Sequence, residues 1–202
     1  MRHLVAATKA NIYFKGVEIP TSSHPEIKKL KKKSNVHYMH GNKVWNSTLI
    51  LMELFADINF NQEKIADLGC GWGALSCFLT KKGADITGID SDVNVKPYFD
   101  LMCKLMDVDT KFCVQNIFSD EFDISPYRTF LASDVCFWDV HTDLWIKFIN
   151  KIIKENKRLI MCDPGRESFW NLLDQCDMPY QIINRRINSP RRVDSYITIF
   201  GE

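Results

Sequence analysis

The segment Asp67-Leu68-Gly69-Cys70-Gly71-Trp72-Gly73 sets three glycines at alternate positions behind the apolar run Ile65 to Leu68. Glycine bends the chain sharply and lets a ligand touch the main chain where a Cβ would collide. The pattern Ala74 to Leu79 that follows reads as a helix, whose first N–H groups lack partners within the helix. Such a strand–turn–helix suits a nucleotide-like cofactor lying across it. Two spacings coexist. Gly69-x-Gly71-x-x-Ala74 fits the dinucleotide fingerprint with alanine at the third place. Asp67-x-Gly69-x-Gly71-x-Gly73 fits an S-adenosylmethionine turn.

The surroundings favour the methyl donor. Asp67 would repel a pyrophosphate but meet the cationic amino group of a methionine moiety, directly or through water. The turn also lies well inside the chain, behind a helix, whereas a dinucleotide fold commonly opens with it. Asp90 ends the next strand about 20 residues on, where a carboxylate can accept from both ribose hydroxyls. That serves either cofactor. In Gln115-Asn116-Ile117 the amide of Asn116 can address an adenine edge and Ile117 can cover its face. Each residue also has a plainer reading: a tight turn for the glycines, a turn acid for Asp67 and Asp90, a turn amide for Asn116.

Ser133-Asp134-Val135-Cys136-Phe137-Trp138-Asp139 could form the reacting end. Asp134 can accept a hydrogen bond from an incoming amine. Phe137 and Trp138 can wall a channel and stabilise developing positive charge by cation–π contact, worth ~0.5–2 kcal/mol; they can equally be core aromatics. A desolvated aromatic pocket lowers an amine's pKa, so that it arrives neutral. Asp163-Pro164-Gly165-Arg166 shapes a turn, unless Arg166 steers an acidic substrate. His3, His24, His37, His40 and His141 show no spacing for a nucleophile pair or a metal site, and no metal is expected. His141 alone lies near the Asp134–Asp139 segment.

These groups must be positioned by a regular alternation. Strands are predicted over 64–68, 85–89, 111–115, 129–133 and 158–162, and helices over 73–82, 95–106, 142–155 and 167–176. A helix over 44–55 precedes them. Two final strands, 181–187 and 195–201, have no helix between them. Strands alternating with helices mean βαβ units and a mostly parallel sheet, with right-handed crossovers placing helices on both faces. The expected fold is α/β: a Rossmann-like, seven-stranded, mostly parallel sheet ending in an antiparallel hairpin. Residues 1–43 read as an N-terminal extension, a possible lid or substrate segment, and 44–202 as the cofactor-binding domain. Within the extension, 11–17 reads as a strand-pair edge or an extended arm.

Composition narrows the class. The 202 residues are 46% hydrophobic and 25% charged, with net charge +1. That is ordinary for one globular domain, and no global field argues for nucleic acid or membrane. The seven cysteines are odd in number and scattered, with no Cys-x-x-Cys. This points away from a disulfide scaffold or zinc site and toward a cytoplasmic compartment. No apolar run approaches the ~18 residues of a membrane span. Lys28, Lys29, Lys31, Lys32 and Lys33 cluster, and Arg185, Arg186, Arg191 and Arg192 flank the last hairpin. They form a solvated face or meet an acidic partner or nucleic acid.

Taken in order, the glycine turn, Asp90, Gln115-Asn116-Ile117, Ser133-Asp134-x-x-Phe137 and Asp163-Pro164-Gly165-Arg166 resemble the class I, seven-β-strand S-adenosylmethionine-dependent methyltransferases. Within them the chain looks most like the family-16 protein lysine methyltransferases and the electron-transfer-flavoprotein β-subunit lysine methyltransferase. The resemblance runs from about Trp45 to Cys176, and the hairpin ending is typical of that sheet. It implies a cofactor site of Trp45, Asp67, Gly69, Gly71, Gly73, Asp90, Asn116, Ile117 and Asp134, with Trp45 over the cofactor. It implies Asp134, Phe137 and Trp138 at the catalytic end. The implied reaction is N-methylation of a protein lysine, with a small-molecule amine as the other acceptor. A non-catalytic cofactor-binding partner subunit and a nicotinamide oxidoreductase are the alternatives from other classes. Phe137 stands where that group usually has tyrosine, and Asn46 where proline usually follows the tryptophan. The Asn-Pro-Pro-Tyr stretch of base-amine methyltransferases does not occur, so nucleic acid is not the expected substrate.

Overall fold

The computed structural model describes residues 8–33, 43–60 and 63–201. His3, His37 and His40 lie outside the described residues.

The alternation predicted for the chain is observed. Strands β3 (Lys64–Leu68), β4 (Asp85–Asp90), β5 (Lys111–Val114), β6 (Thr129–Ser133) and β7 (Arg158–Asp163) are parallel. Strands β8 (Tyr180–Ile187) and β9 (Val193–Phe200) close the sheet as an antiparallel hairpin, with β9 against β7. The order is β5-β4-β3-β6-β7-β9-β8. The chain builds outward from β3 through β4 to β5, then returns to build the other half from β6. The carboxyl ends of β3 and β6 therefore flank the crevice where open α/β sheets bind ligands.

The central strands are buried on both faces, as parallel strands between helices must be. Side chains alternate across the sheet. Ile65, Ile86, Leu131 and Ile160 join one core with helices α2 (Asn46–Leu54), α3 (Ala74–Lys81) and α4 (Lys96–Met106). Ala66, Ile89, Phe130 and Met161 join the other with α5 (Thr142–Lys154) and α6 (Glu167–Gln175).

Helix α2 begins later than the apolar pattern suggests. Trp45 is extended (φ −85°, ψ 161°) and caps it. Helix α3 starts from Gly73 in the left-handed region (φ 72°), and a Cβ there would stand 2.3 Å from the ring of Phe99 on α4. Glycine at this position permits both the turn and the approach of α4.

The N-terminal extension is more ordered than its irregular sequence suggests. Strands β1 (Asn11–Phe14) and β2 (Val17–Pro20) form a hairpin around Lys15 and Gly16, both at positive φ. A two-residue turn of that geometry matches the natural strand twist. Ile12, Phe14, Val17 and Ile19 bury one face of the hairpin, with Ile27 of α1 (Pro25–Lys33), in the same core as α2–α4. The hydrophobic core thus crosses the boundary drawn at residue 43. No helix among the described residues is long and apolar enough to cross a membrane.

Candidate active site

A cleft of ≈ 550 Å³ opens at the carboxyl ends of β3, β4, β5 and β6. Gly69, Gly71, Asp90, Asn116, Ile117, Trp45, Asp134, Phe137 and Trp138, from five separate stretches of the sequence, all line it. Asp67 and Gly73 do not.

The cleft divides into two ends. At one, Gly71 (φ 53°) has nothing within 4 Å of where a Cβ would stand, so its main chain lies open to a ligand. Its N–H donates to Asp90 Oδ2 at 2.9 Å, and the Asp92 N–H donates to Asp90 Oδ1 at 2.9 Å. Burial raises the Asp90 pKa, while these N–H bonds pull it back. Each carboxylate oxygen keeps a lone pair for a further donor, as vicinal ribose hydroxyls would supply. Asn116 Oδ1 accepts from the Phe118 N–H at 3.0 Å, which fixes the side chain and leaves its amide N–H₂ as a donor. Ile117, Phe118, Leu144 and Trp145 add apolar wall.

Asp67 stands behind the cleft wall rather than in it. Asp67 is 2% exposed, and its Oδ2 accepts from Ser76 Oγ at 2.5 Å. The strand turns this side chain under the glycine loop, toward α3. Burial lifts its pKa from 3.8 to about 7, against the Ser76 hydrogen bonds. A raised folded-state pKa means that the folded protein holds a proton that the unfolded chain has released. Stability from this group is therefore full below pH 3.8 and declines as pH rises toward about 7, by up to about 1.4 kcal/mol per unit. Asp67→Asn removes the titration and keeps an acceptor for Ser76. Urea unfolding at pH 5 and pH 7 should show the variant gaining on the parent at the higher pH. Parallel curves would exclude this assignment.

The other end is built around Asp134, which is 4% exposed and sits at φ 55° just after β6. Aspartate tolerates that region better than most residues. Its Oδ2 accepts from the Ser47 N–H at 2.8 Å, and its Oδ1 from Arg166 Nη2 at 2.8 Å. Arg166 Nη1 also donates to Asp163 Oδ2 at 2.6 Å. The guanidinium lies 4.1 Å from the Phe137 ring centroid and 5.6 Å from that of Trp45. Trp45 and Phe137 meet edge to face at 5.1 Å, and Lys43 Nζ stands 4.0 Å over Trp45.

Each Asp134 oxygen already accepts one hydrogen bond, from Ser47 or from Arg166, and the Phe137 ring carries a resident cation. The sequence pattern suits Arg166 to a turn, yet it ties the strand ends after β6 and β7 together. Asp134, Asp163 and Arg166 together carry one net negative charge, with Lys43 as a second cation on the Trp45 ring. Trp138 is 46% exposed and forms the outer lip. His141 also lines the cleft, 5.9 Å from the Phe118 ring.

The sheet order and its antiparallel ending are those of the Rossmann-like methyltransferase fold. A model of the methyltransferase small domain matches residues 29–124. The chain is similar to the tRNA (uracil-54, C5)-methyltransferase of Pyrococcus abyssi in complex with S-adenosyl-L-homocysteine, at TM-score 0.62 and 15% identity. That match covers 94% of this chain but spans only 43% of the archaeal one. It is similar to the magnesium protoporphyrin IX methyltransferase of Synechocystis with bound S-adenosylmethionine (TM-score 0.58, 14% identity, 90% and 93% covered). It is also similar to an rRNA methylase of Streptococcus thermophilus (TM-score 0.56, 11% identity, 78% and 98% covered). No curated protein matches the chain in sequence. At such identities the likeness is one of fold.

The chain's own residues fit S-adenosylmethionine. One end has an open glycine backbone, the Asp90 carboxylate with lone pairs to spare and the Asn116 amide beside an apolar wall. The other end has Asp134 with Arg166 and Lys43 close by.

Proposed function

We propose that the protein N-methylates an amine, with the ε-amino group of a protein lysine as the acceptor. The observation that carries this reading is the junction of the glycine-turn end with the Trp45–Asp134–Phe137–Arg166 cluster in one cleft. When bound, S-adenosylmethionine supplies a methyl group on a cationic sulfur, with a neutral thioether as leaving group. The protein's share is orientation and electrostatics. Trp45 and Phe137 exclude water from the meeting point. The net negative charge of Asp134, Asp163 and Arg166 favours the positive charge that passes from donor to acceptor. Aromatic walls and low solvation favour the neutral amine that can attack. The lysine preference rests on the Asn-Ile, Asp-x-x-aromatic and Asp-Pro-Gly-Arg pattern, here Asn116-Ile117, Asp134 to Phe137, and Asp163 to Arg166. The seven free thiols suit a reducing, cytosol-like compartment.

A ligand that binds only the native state raises its melting temperature. S-adenosylhomocysteine should do so, and nicotinamide dinucleotides should not; the reverse would overturn the cofactor assignment. Labelled methyl transfer into a fractionated lysate should then mark protein at lysine. Label confined to small molecules would move the acceptor to a metabolite amine. Cofactor binding without any transfer would leave a non-catalytic binding subunit.

A further inference from the structure

A second cleft of ≈ 630 Å³ adjoins the first, and the two share Lys43, Val44, Trp45 and Asp134 as a common wall. Their charges are opposed. The cofactor cleft has Lys43 against Asp90, Asp92 and Asp134. The second has Lys9, Lys43, Arg166, Arg191 and Arg192 against Asp134 and Asp194. One of its walls is the turn after β2, Thr21 to Ser23, whose Thr21 Oγ1 donates to the Lys9 carbonyl at 2.7 Å. Another is the turn into β9, Arg191 to Asp194.

Of the five cations, Arg166 and Arg192 pair with carboxylates, Lys43 lies over Trp45, and Lys9 and Arg191 remain. Arg166 is held by Asp134 and Asp163. Arg192 reaches Asp194 at 3.3 Å, but Asp194 also binds Arg186, and the pair is exposed. Lys9 and Arg191 are exposed and have no ion-pair partner among the described residues. Their shared orientation toward one cleft has no use within the fold.

We propose that this cleft holds acidic side chains flanking the methyl-accepting lysine, so that the substrate is an acidic protein segment. The inference rests on the amine-methylation reading above and specifies its substrate. Cations near the acceptor favour the neutral form of the amine, which is the form that attacks. The same cations would repel a lysine arriving as an ammonium. Glutamate or aspartate beside it supplies the attraction that the lysine itself lacks. A nucleic-acid strand fits the cleft less well. Single strands bind on rows of stacking aromatics, and among the lining residues only Trp45 is aromatic, packed against Phe137 and Lys43.

The test uses the full chain saturated with S-adenosylhomocysteine and fluorescence anisotropy. The probes are a labelled peptide with one lysine between glutamate pairs, the same peptide with glutamines, and an oligouridylate. The glutamate peptide should bind roughly tenfold more tightly than the glutamine peptide, and more weakly as salt is raised. Arg191→Glu should weaken it roughly fivefold to tenfold. Lys28→Glu, an equal charge reversal on an exposed face of α1 outside the cleft, should not. S-adenosylhomocysteine should bind Arg191→Glu as it binds the parent. Equal binding of the two peptides, an equal response to both charge reversals, or displacement of the peptide by oligouridylate would each overturn the proposal. Loss of S-adenosylhomocysteine binding by the parent protein would instead overturn the methyltransferase reading itself.

Discussion

Asp134→Ala is expected to lower stability by about 3 kcal/mol and turnover by roughly a hundredfold. The reason is that this one carboxylate closes three connections at once. It satisfies the Ser47 N–H at the start of α2, next to the Trp45 that walls the cleft. It anchors Arg166, whose guanidinium lies against Phe137 and Trp45. It also supplies one of the two negative charges of the cluster. Alanine leaves the Ser47 donor without its partner, leaves Arg166 with Asp163 alone, and places a less tolerant residue at φ 55°.

Asp134→Asn separates the structural part from the electrostatic part. Asparagine accepts the left-handed backbone and can still bond Ser47, but it removes the charge. The variant should stay within about 1–2 kcal/mol of the parent in urea unfolding. It should bind S-adenosylhomocysteine and lose roughly tenfold or more in kcat with little change in KM. A purely structural Asp134 would leave kcat of the asparagine variant near the parent value, and that result would remove it from the reaction.

The second large effect falls on the cofactor. Asp90→Ala should weaken S-adenosylhomocysteine binding by about 2–3 kcal/mol, on the order of a hundredfold in Kd. Two charge-assisted hydrogen bonds to the ribose would be lost, and the Gly71 and Asp92 N–H groups would lose the acceptor that shapes the turn. Folding should suffer less, about 1 kcal/mol, because those N–H groups lie at the wall of an open cleft. Isothermal calorimetry checks the affinity. A Kd within roughly threefold of the parent would show that the ribose lies elsewhere.

The parts of the site that were legible in the sequence are local ones. Gly69, Gly71, Asp90, Asn116 and Ile117 each stand at the end of a strand or within three residues of it, where the chain must turn at the carboxyl edge of the sheet. The strand pattern therefore placed them near one another. The N-terminal hairpin was legible too: Ile12, Phe14, Val17 and Ile19 alternate around Lys15-Gly16. Residues 11–17 read as a strand-pair edge or an extended arm because the alternation is short and lies beside turn-rich sequence.

By itself the sequence determined the alternating sheet, the hairpin that ends it and the glycine turn that suits a nucleotide-like cofactor. Those features follow from hydrophobic periodicity and from backbone turns, which act over a few residues. Only the tertiary structure decided that Asp67 turns away from the cleft to Ser76 and that Asp134 is held by Ser47 and Arg166. It also decided that Lys9 and Arg191, from opposite ends of the chain, charge the same cleft. Ion pairs and shared pockets form between residues far apart in the chain, and periodicity carries no record of which distant partner the fold will deliver.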